Sequence, residues 1–218
     1  MPPCGKDCPL ESVENRLSPL LAIAAGYTLI MITIWSNRPA QRRLFWIDVA
    51  FFLSAAIVFF HGRPFELPQL EFSLIVVGLG ITVAASVLFT AAEMGTLHGL
   101  FGARRPLLHA GTYLTWAVVQ QWIQQSFFFV RLEKLLHRGV LASFTAAAMF
   151  GLAHLPNPVL APLTFFGGWL LSELYRRYRC VLPLGIAHGL VGLAIALSVP
   201  DQINHHMRVG LGYLTYGG

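Results

Sequence analysis

The chain has 218 residues, of which 56% are hydrophobic and only 11% charged, with a mean hydropathy of +0.62 and a formal net charge of +5. That composition excludes an ordinary soluble domain and points to one membrane domain that crosses the bilayer several times. The basic residues stand in small groups beside apolar runs, as in Arg38, Arg42 and Arg43 and again in Arg176, Arg177 and Arg179. Without an interleaved aromatic platform such groups exclude a nucleic-acid partner and suit contact with membrane lipid headgroups.

The first sixteen residues are polar, with Lys6, Asp7, Glu11, Glu14 and Arg16. They lack the basic start, apolar middle and small-residue cleavage site of a signal peptide, so the apolar run that follows is expected to stay as a transmembrane helix. Cys4, Cys8 and Cys180 show no zinc-type spacing. Runs able to cross a bilayer are predicted at Leu17–Trp35, Leu44–Phe60 and Phe72–Ala92. Asp48, in the second of these, is read as a carboxylate that snorkels from the helix start, and only weakly as a site residue.

Further runs follow at Gly111–Val130, Val140–Leu155, Val159–Tyr175 and Val181–Val199. The fold class is therefore all-α, a polytopic bundle of about seven spans, with six to eight allowed by boundary error. The transmembrane domain is placed at residues 17–199 and a short polar and aromatic tail at 200–218. The arginines fall on both sides of a simple alternation, so orientation stays open, as does the oligomeric state.

The polar groups of the carboxy-terminal half need protein around them, because an unpaired amide in lipid costs roughly 1 to several kcal/mol. Gln120, Gln121, Gln124 and Gln125 would share an arc of about 140° on an α-helix. Val118, Val119, Trp122 and Ile123 are left for lipid or packing. Interhelical hydrogen bonding is the plain structural reading of such amides. In His154-Leu-Pro-Asn-Pro158 the prolines end one helix and admit the next, which puts His154 near a helix end. Gly185 and Gly189 form a small-xxx-small pair that would let a neighbouring helix approach and bring His188 close to it.

In their order these segments resemble the CPBP family of membrane proteases, which includes the CAAX prenyl proteases and the Abi type, over roughly Tyr113 to Val199. The family's first motif, two glutamates followed by an arginine, corresponds here to Gln120, Gln121 and Gln125. Its second, phenylalanine and then histidine four residues on, is intact as Phe150-Gly-Leu-Ala-His154 and runs on through Leu155, Pro156 and Asn157. Its third, a histidine with a polar residue four positions later, keeps His188 and has Gly192 in place of the companion. A second register, which pairs Gln124 and Gln125 with the glutamates, puts Phe129 at the arginine position and leaves Arg131 two residues late, and is the poorer match.

The resemblance implies a helical intramembrane endopeptidase acting on membrane-associated or lipidated peptides, with a bacterial inner membrane as the favoured location. A glutamate there takes a proton from water, and histidines support the oxyanion formed when that water attacks the peptide carbonyl. On this chain the catalytic positions are Gln120, Gln121, His154 and His188, supported by Gln124, Gln125, Phe150 and Asn157. No metal and no other cofactor is expected. Glutamine positions water but accepts no proton, so a histidine would have to act as base. The alternative is a catalytically lapsed member that binds a lipidated peptide, a lipid or a membrane protein. Glu133 and Glu173 stand beside basic residues and read as surface ion pairs, with Glu173 the better reserve acid. His61, His98, His109 and His137 read as loop or interfacial residues, and His205 and His206 lack further ligands at metal spacing.

Overall fold

The computed structural model describes residues 9–60, 70–98 and 106–217. Cys4, Cys8 and His61 lie outside the described residues. Among the described residues the chain is all-helical and has no strand. α1 (Pro9–Ile34), α2 (Arg38–Phe60) and α3 (Leu70–Glu93) are followed by α4 (Pro106–Trp122), which runs through a π-helical turn at Ile123–Phe129 into α5 (Val130–Leu136). Then come α6 (Gly139–Leu152), α7 (Leu160–Tyr178) and α8 (Leu182–Ser198). α1 begins at Pro9 rather than Leu17, and the glutamine run does not stay α-helical, since Gln124 and Gln125 lie in the wider π turn.

Every predicted apolar run is largely helical, but among the described residues only α3 is long and apolar enough to cross a membrane unaided, and α8 with the sharply bent segment after it gives at most a second. The rest are short or carry charge. α6, with 14 residues, is only about 21 Å long at 1.5 Å per residue, against a hydrocarbon core of about 30 Å. α2 begins with Arg38, Arg42 and Arg43.

The interior is an aromatic core in which Phe127, Phe128 and Phe129 of the π turn are buried against Phe52 of α2 and Tyr175 of α7. Beside it, α8 is wedged between α3 and α4 through residues with little or no side chain. A Cβ on Gly185 would lie 2.7 Å from Val118 Cα, one on Gly189 2.7 Å from Leu114 Cδ2, and one on Gly80 of α3 2.8 Å from Ala187 Cα. The neighbour that the Gly185/Gly189 pair admits is thus α4, which runs antiparallel to α8.

The tail is more than an end. After α8 it folds as α9 (Asp201–Asn204), a 3-10 turn (His205–Met207) and α10 (Gly210–Leu214), and it packs under the turn that carries His154. Fully buried Asn157 joins the two: its amide nitrogen donates to Asn204 O, Asn204 Oδ1 and Arg208 O, each at 3.0 Å. Its Oδ1 accepts the backbone N–H groups of Val159 and Leu160 at 3.0 and 2.9 Å, which satisfies donors at the start of α7. Gly210, at φ +55°, is pressed against the Ile34 carbonyl and donates its N–H to Leu155 O at 2.8 Å.

Two stability predictions follow from these contacts. Gly185→Ala drives a methyl into the backbone of α4 and should destabilise by about 1–3 kcal/mol, whereas Gly78→Ala, which would meet nothing within 4 Å, should be neutral or slightly stabilising; thermal melts of both variants in the same lipid or detergent check the difference. Asn157→Ala strands several buried donors and acceptors at about 1–3 kcal/mol each. Limited proteolysis should then cut the segment after Ser198 faster than in the unaltered protein.

Candidate functional site

A cavity of about 1030 Å³ lies among α1, α2, α3, α4, α6, α7 and α8 and is lined mostly by apolar side chains. Tyr113, Gln120, Gln124, His154 and His188 bring polar groups to its wall, and Asp48 does so from α2. An apolar chamber with a few polar groups is the usual form of a site for an amphiphilic ligand.

The amides are ordered head to tail. Gln125 Nε2 donates to Gln121 Oε1 at 3.1 Å, and Gln121 Nε2 donates to Gln124 Oε1 at 3.2 Å and to His188 Nδ1 at 3.0 Å. Gln124 Nε2 continues with longer bonds to Gly168 O and Ser172 Oγ of α7, 3.4 and 3.5 Å. Gln121 and Gln125 are fully buried, and Gln125 Oε1 has no hydrogen-bond partner. The close approach to α7 depends on Gly168, where a Cβ would fall 2.8 Å from Gln124 Nε2. Gln120 faces the cavity and makes no hydrogen bond among the described residues.

The ladder determines the tautomer of His188. An amide nitrogen only donates, so Nδ1 of His188 accepts, and the ring is neutral with its proton on Nε2. His154 has the opposite arrangement. Its Nδ1 lies 2.7 Å from the Phe150 carbonyl, which only accepts, so Nδ1 carries a proton and, when the ring is neutral, Nε2 carries a lone pair. Phe150 stands between the two, edge to face with His154 at 4.7 Å and tilted against His188 at 5.7 Å. Both histidines line the cavity. One pole of the site can therefore accept a proton and the other can donate a hydrogen bond.

The expected site residues divide accordingly. Gln120, Gln121, Gln124, Gln125, Phe150, His154 and His188 come together, while Asn157 lies behind the wall and anchors the His154 turn through the tail. Glu133 and Glu173 are held at the surface by Arg179 and Arg176, at 2.8 and 2.7 Å, and do not line the cavity. Arg131 bonds Phe127 O at 2.8 Å and stacks on its ring, away from the amide ladder. Trp122 and Ile123, assigned to lipid or packing, pack against the aromatic core and also line the cavity, as Val119 does.

Two further residues bear on the site. Asp48, read as a snorkelling helix-start residue and only weakly as a site residue, is the one carboxylate among the described cavity-lining residues, and its Oδ1 is buried without a hydrogen-bond partner. A carboxylate inside an apolar run was the available signal. Tyr113 had none, because its neighbour in space, Gly192, is distant in sequence. His206 Nδ1 and His98 Nε2 meet Asp201 at 2.8 and 3.7 Å, well outside the chamber. No group of three or more His, Cys, Asp or Glu side chains among the described residues is arranged to hold a metal ion.

No curated protein and no solved structure matches the chain. Residues 102–194, the stretch holding the whole amide ladder and both histidines, match the family described as type II CAAX prenyl endopeptidase Rce1-like, a likeness that supports a CPBP-type membrane protease.

Proposed function

We propose that this protein is an integral membrane endopeptidase of the CAAX type that cleaves a membrane-associated or lipidated peptide, with His154 as general base and His188 as oxyanion donor. The observation that carries this reading is the pair of opposite tautomers enforced by Gln121 and by the Phe150 carbonyl. Water in the chamber gives a proton to His154 Nε2 as its oxygen attacks the peptide carbonyl carbon. The developing oxyanion accepts the Nε2–H of His188. When the C–N bond breaks, the proton on His154 passes to the departing amine, so the ring returns neutral and the products are an acid and an amine.

The surroundings suit a bilayer. Along α3, Leu70, Leu74, Ile75, Leu79 and Phe89 are between 60% and 72% exposed, an apolar face that water would not favour and lipid would. The seven helical runs then cross or dip into the membrane together, the short ones shielded by their neighbours. The resemblance and the small size of the chain favour a bacterial inner membrane. The apolar chamber has room for a lipid chain, and its histidine end would hold the scissile bond.

A lapsed enzyme that binds the same ligands without cleaving them is the second reading. It is favoured by the neutrality of the ladder, in which no carboxylate among the described residues bonds to Gln121 or His188.

Cleavage of a panel of membrane-anchored and prenylated peptides by the purified protein in lipid separates the two readings. Under the first, His154→Ala should lower cleavage by about 10²-fold or more with little change in thermal stability. Gln120→Glu, which sets a carboxylate on the cavity wall, should raise the rate by up to about 10²-fold. Cleavage by neither the unaltered protein nor any histidine-intact variant except Gln120→Glu would establish the binding scaffold.

A further inference from the structure

Gly192 lies one helical turn after His188, on the same face of α8, and both line the cavity. A side chain there would point beside His188, but the space is already taken. A Cβ added to Gly192 would run into the hydroxyl of Tyr113 and lie 3.1 Å from its Cε1 and Cζ. Tyr113 reaches that position from α4, across the seam of small residues that lets α4 and α8 touch.

The hydroxyl lines the chamber and makes no hydrogen bond among the described residues. A phenol in apolar surroundings without a partner costs roughly 1 kcal/mol or more, and the rotating O–H can be turned toward any acceptor that arrives. A substrate carbonyl held at His188 Nε2 would be such an acceptor.

We propose that the Tyr113 hydroxyl is the second donor to the oxyanion, occupying from α4 the place that the side chain at Gly192 would fill from α8. The proposal rests on the peptidase reading above. It gives the oxyanion two donors from two helices, His188 Nε2–H and Tyr113 O–H, whose spacing is set by the α4/α8 seam. It also gives Gly192 a reason: any larger residue there displaces the hydroxyl.

The test compares the unaltered protein with Tyr113→Phe, Tyr113→Ala, and Tyr113→Ala combined with Gly192→Asn, on the same peptides in lipid. Tyr113→Phe keeps the ring and its packing, so its melting temperature should not move, while kcat should fall about 10²-fold with KM unchanged. A peptide phosphonate, which carries a tetrahedral anionic oxygen, should bind Tyr113→Phe at least about tenfold more weakly while the uncleaved peptide binds both equally. Gly192→Asn should restore at least about tenfold of the rate lost in Tyr113→Ala. Equal kcat and equal phosphonate binding in the unaltered and Tyr113→Phe proteins would overturn the donor role and leave the peptidase reading standing. A rise in KM alone would overturn it too, because it would make the hydroxyl a ground-state contact. No cleavage by the unaltered protein would overturn both.

Discussion

The site depends on how closely α8 can lie against α4. A hydrogen bond of 3.0 Å between Gln121 and His188 needs the two helices nearly in backbone contact, and Gly185 and Gly189 permit that because an added Cβ at either would fall 2.7 Å from α4. The opposite face of α8 is held by Ala187 against Gly80, so the helix has neither room to retreat nor a side chain to push it away. Close contact of this kind gains dispersion energy and costs no side-chain entropy, the main sources of helix association where solvent supplies no hydrophobic drive. The polar groups are then brought together by packing that contains no polar group at all.

Neutrality inside that seam changes what the histidine can do. Where the family motif has a glutamate and an arginine, Gln121 and Gln125 share a hydrogen bond of 3.1 Å, which avoids the penalty of burying two ions. The exchange also reverses a hydrogen bond. A carboxylate at position 121 could only accept, which would require His188 to donate from Nδ1 and leave its Nε2 without a proton. The amide nitrogen of Gln121 donates, so the proton sits on the cavity side of the ring. On the proposed reading, the substitution that removes the expected base thus makes His188 a hydrogen-bond donor and leaves proton acceptance to His154.

Much of this was legible in the residues. Low charge and long apolar runs gave a helical chain, Gly185 and Gly189 announced a close neighbour for His188, and the prolines after His154 put that residue just past the end of α6, one turn beyond Phe150. What escaped depends on contacts between segments far apart in the chain. The π turn arises where Phe127, Phe128 and Phe129 all find buried positions, which is a tertiary demand that local propensity does not carry. Asn157 looked like part of a motif near the chemistry, but its amide nitrogen bonds Asn204 and Arg208 of a tail that composition marked only as polar and aromatic. Tyr113 and Gly192 each read as ordinary residues until the seam placed one in the gap left by the other.

The way His154 is held bears on the rate that such a site can reach. In many hydrolases the nitrogen opposite the catalytic one is bonded to a carboxylate, which both orients the ring and stabilises the imidazolium that forms during proton transfer. Here the partner is the Phe150 carbonyl at 2.7 Å, which orients the ring equally well but offers only a dipole to the positive charge. Orientation is reinforced from below, since the turn after α6 is tied through Asn157 to Asn204 and Arg208. A base fixed by carbonyls and amides is well aimed and weakly supported, so on the proposed reading most of the catalytic power must come from the donors facing the oxyanion and from holding the peptide bond between the two rings. This places the burden on the α4/α8 seam, where small residues let the two helices touch, rather than on any titrating carboxylate.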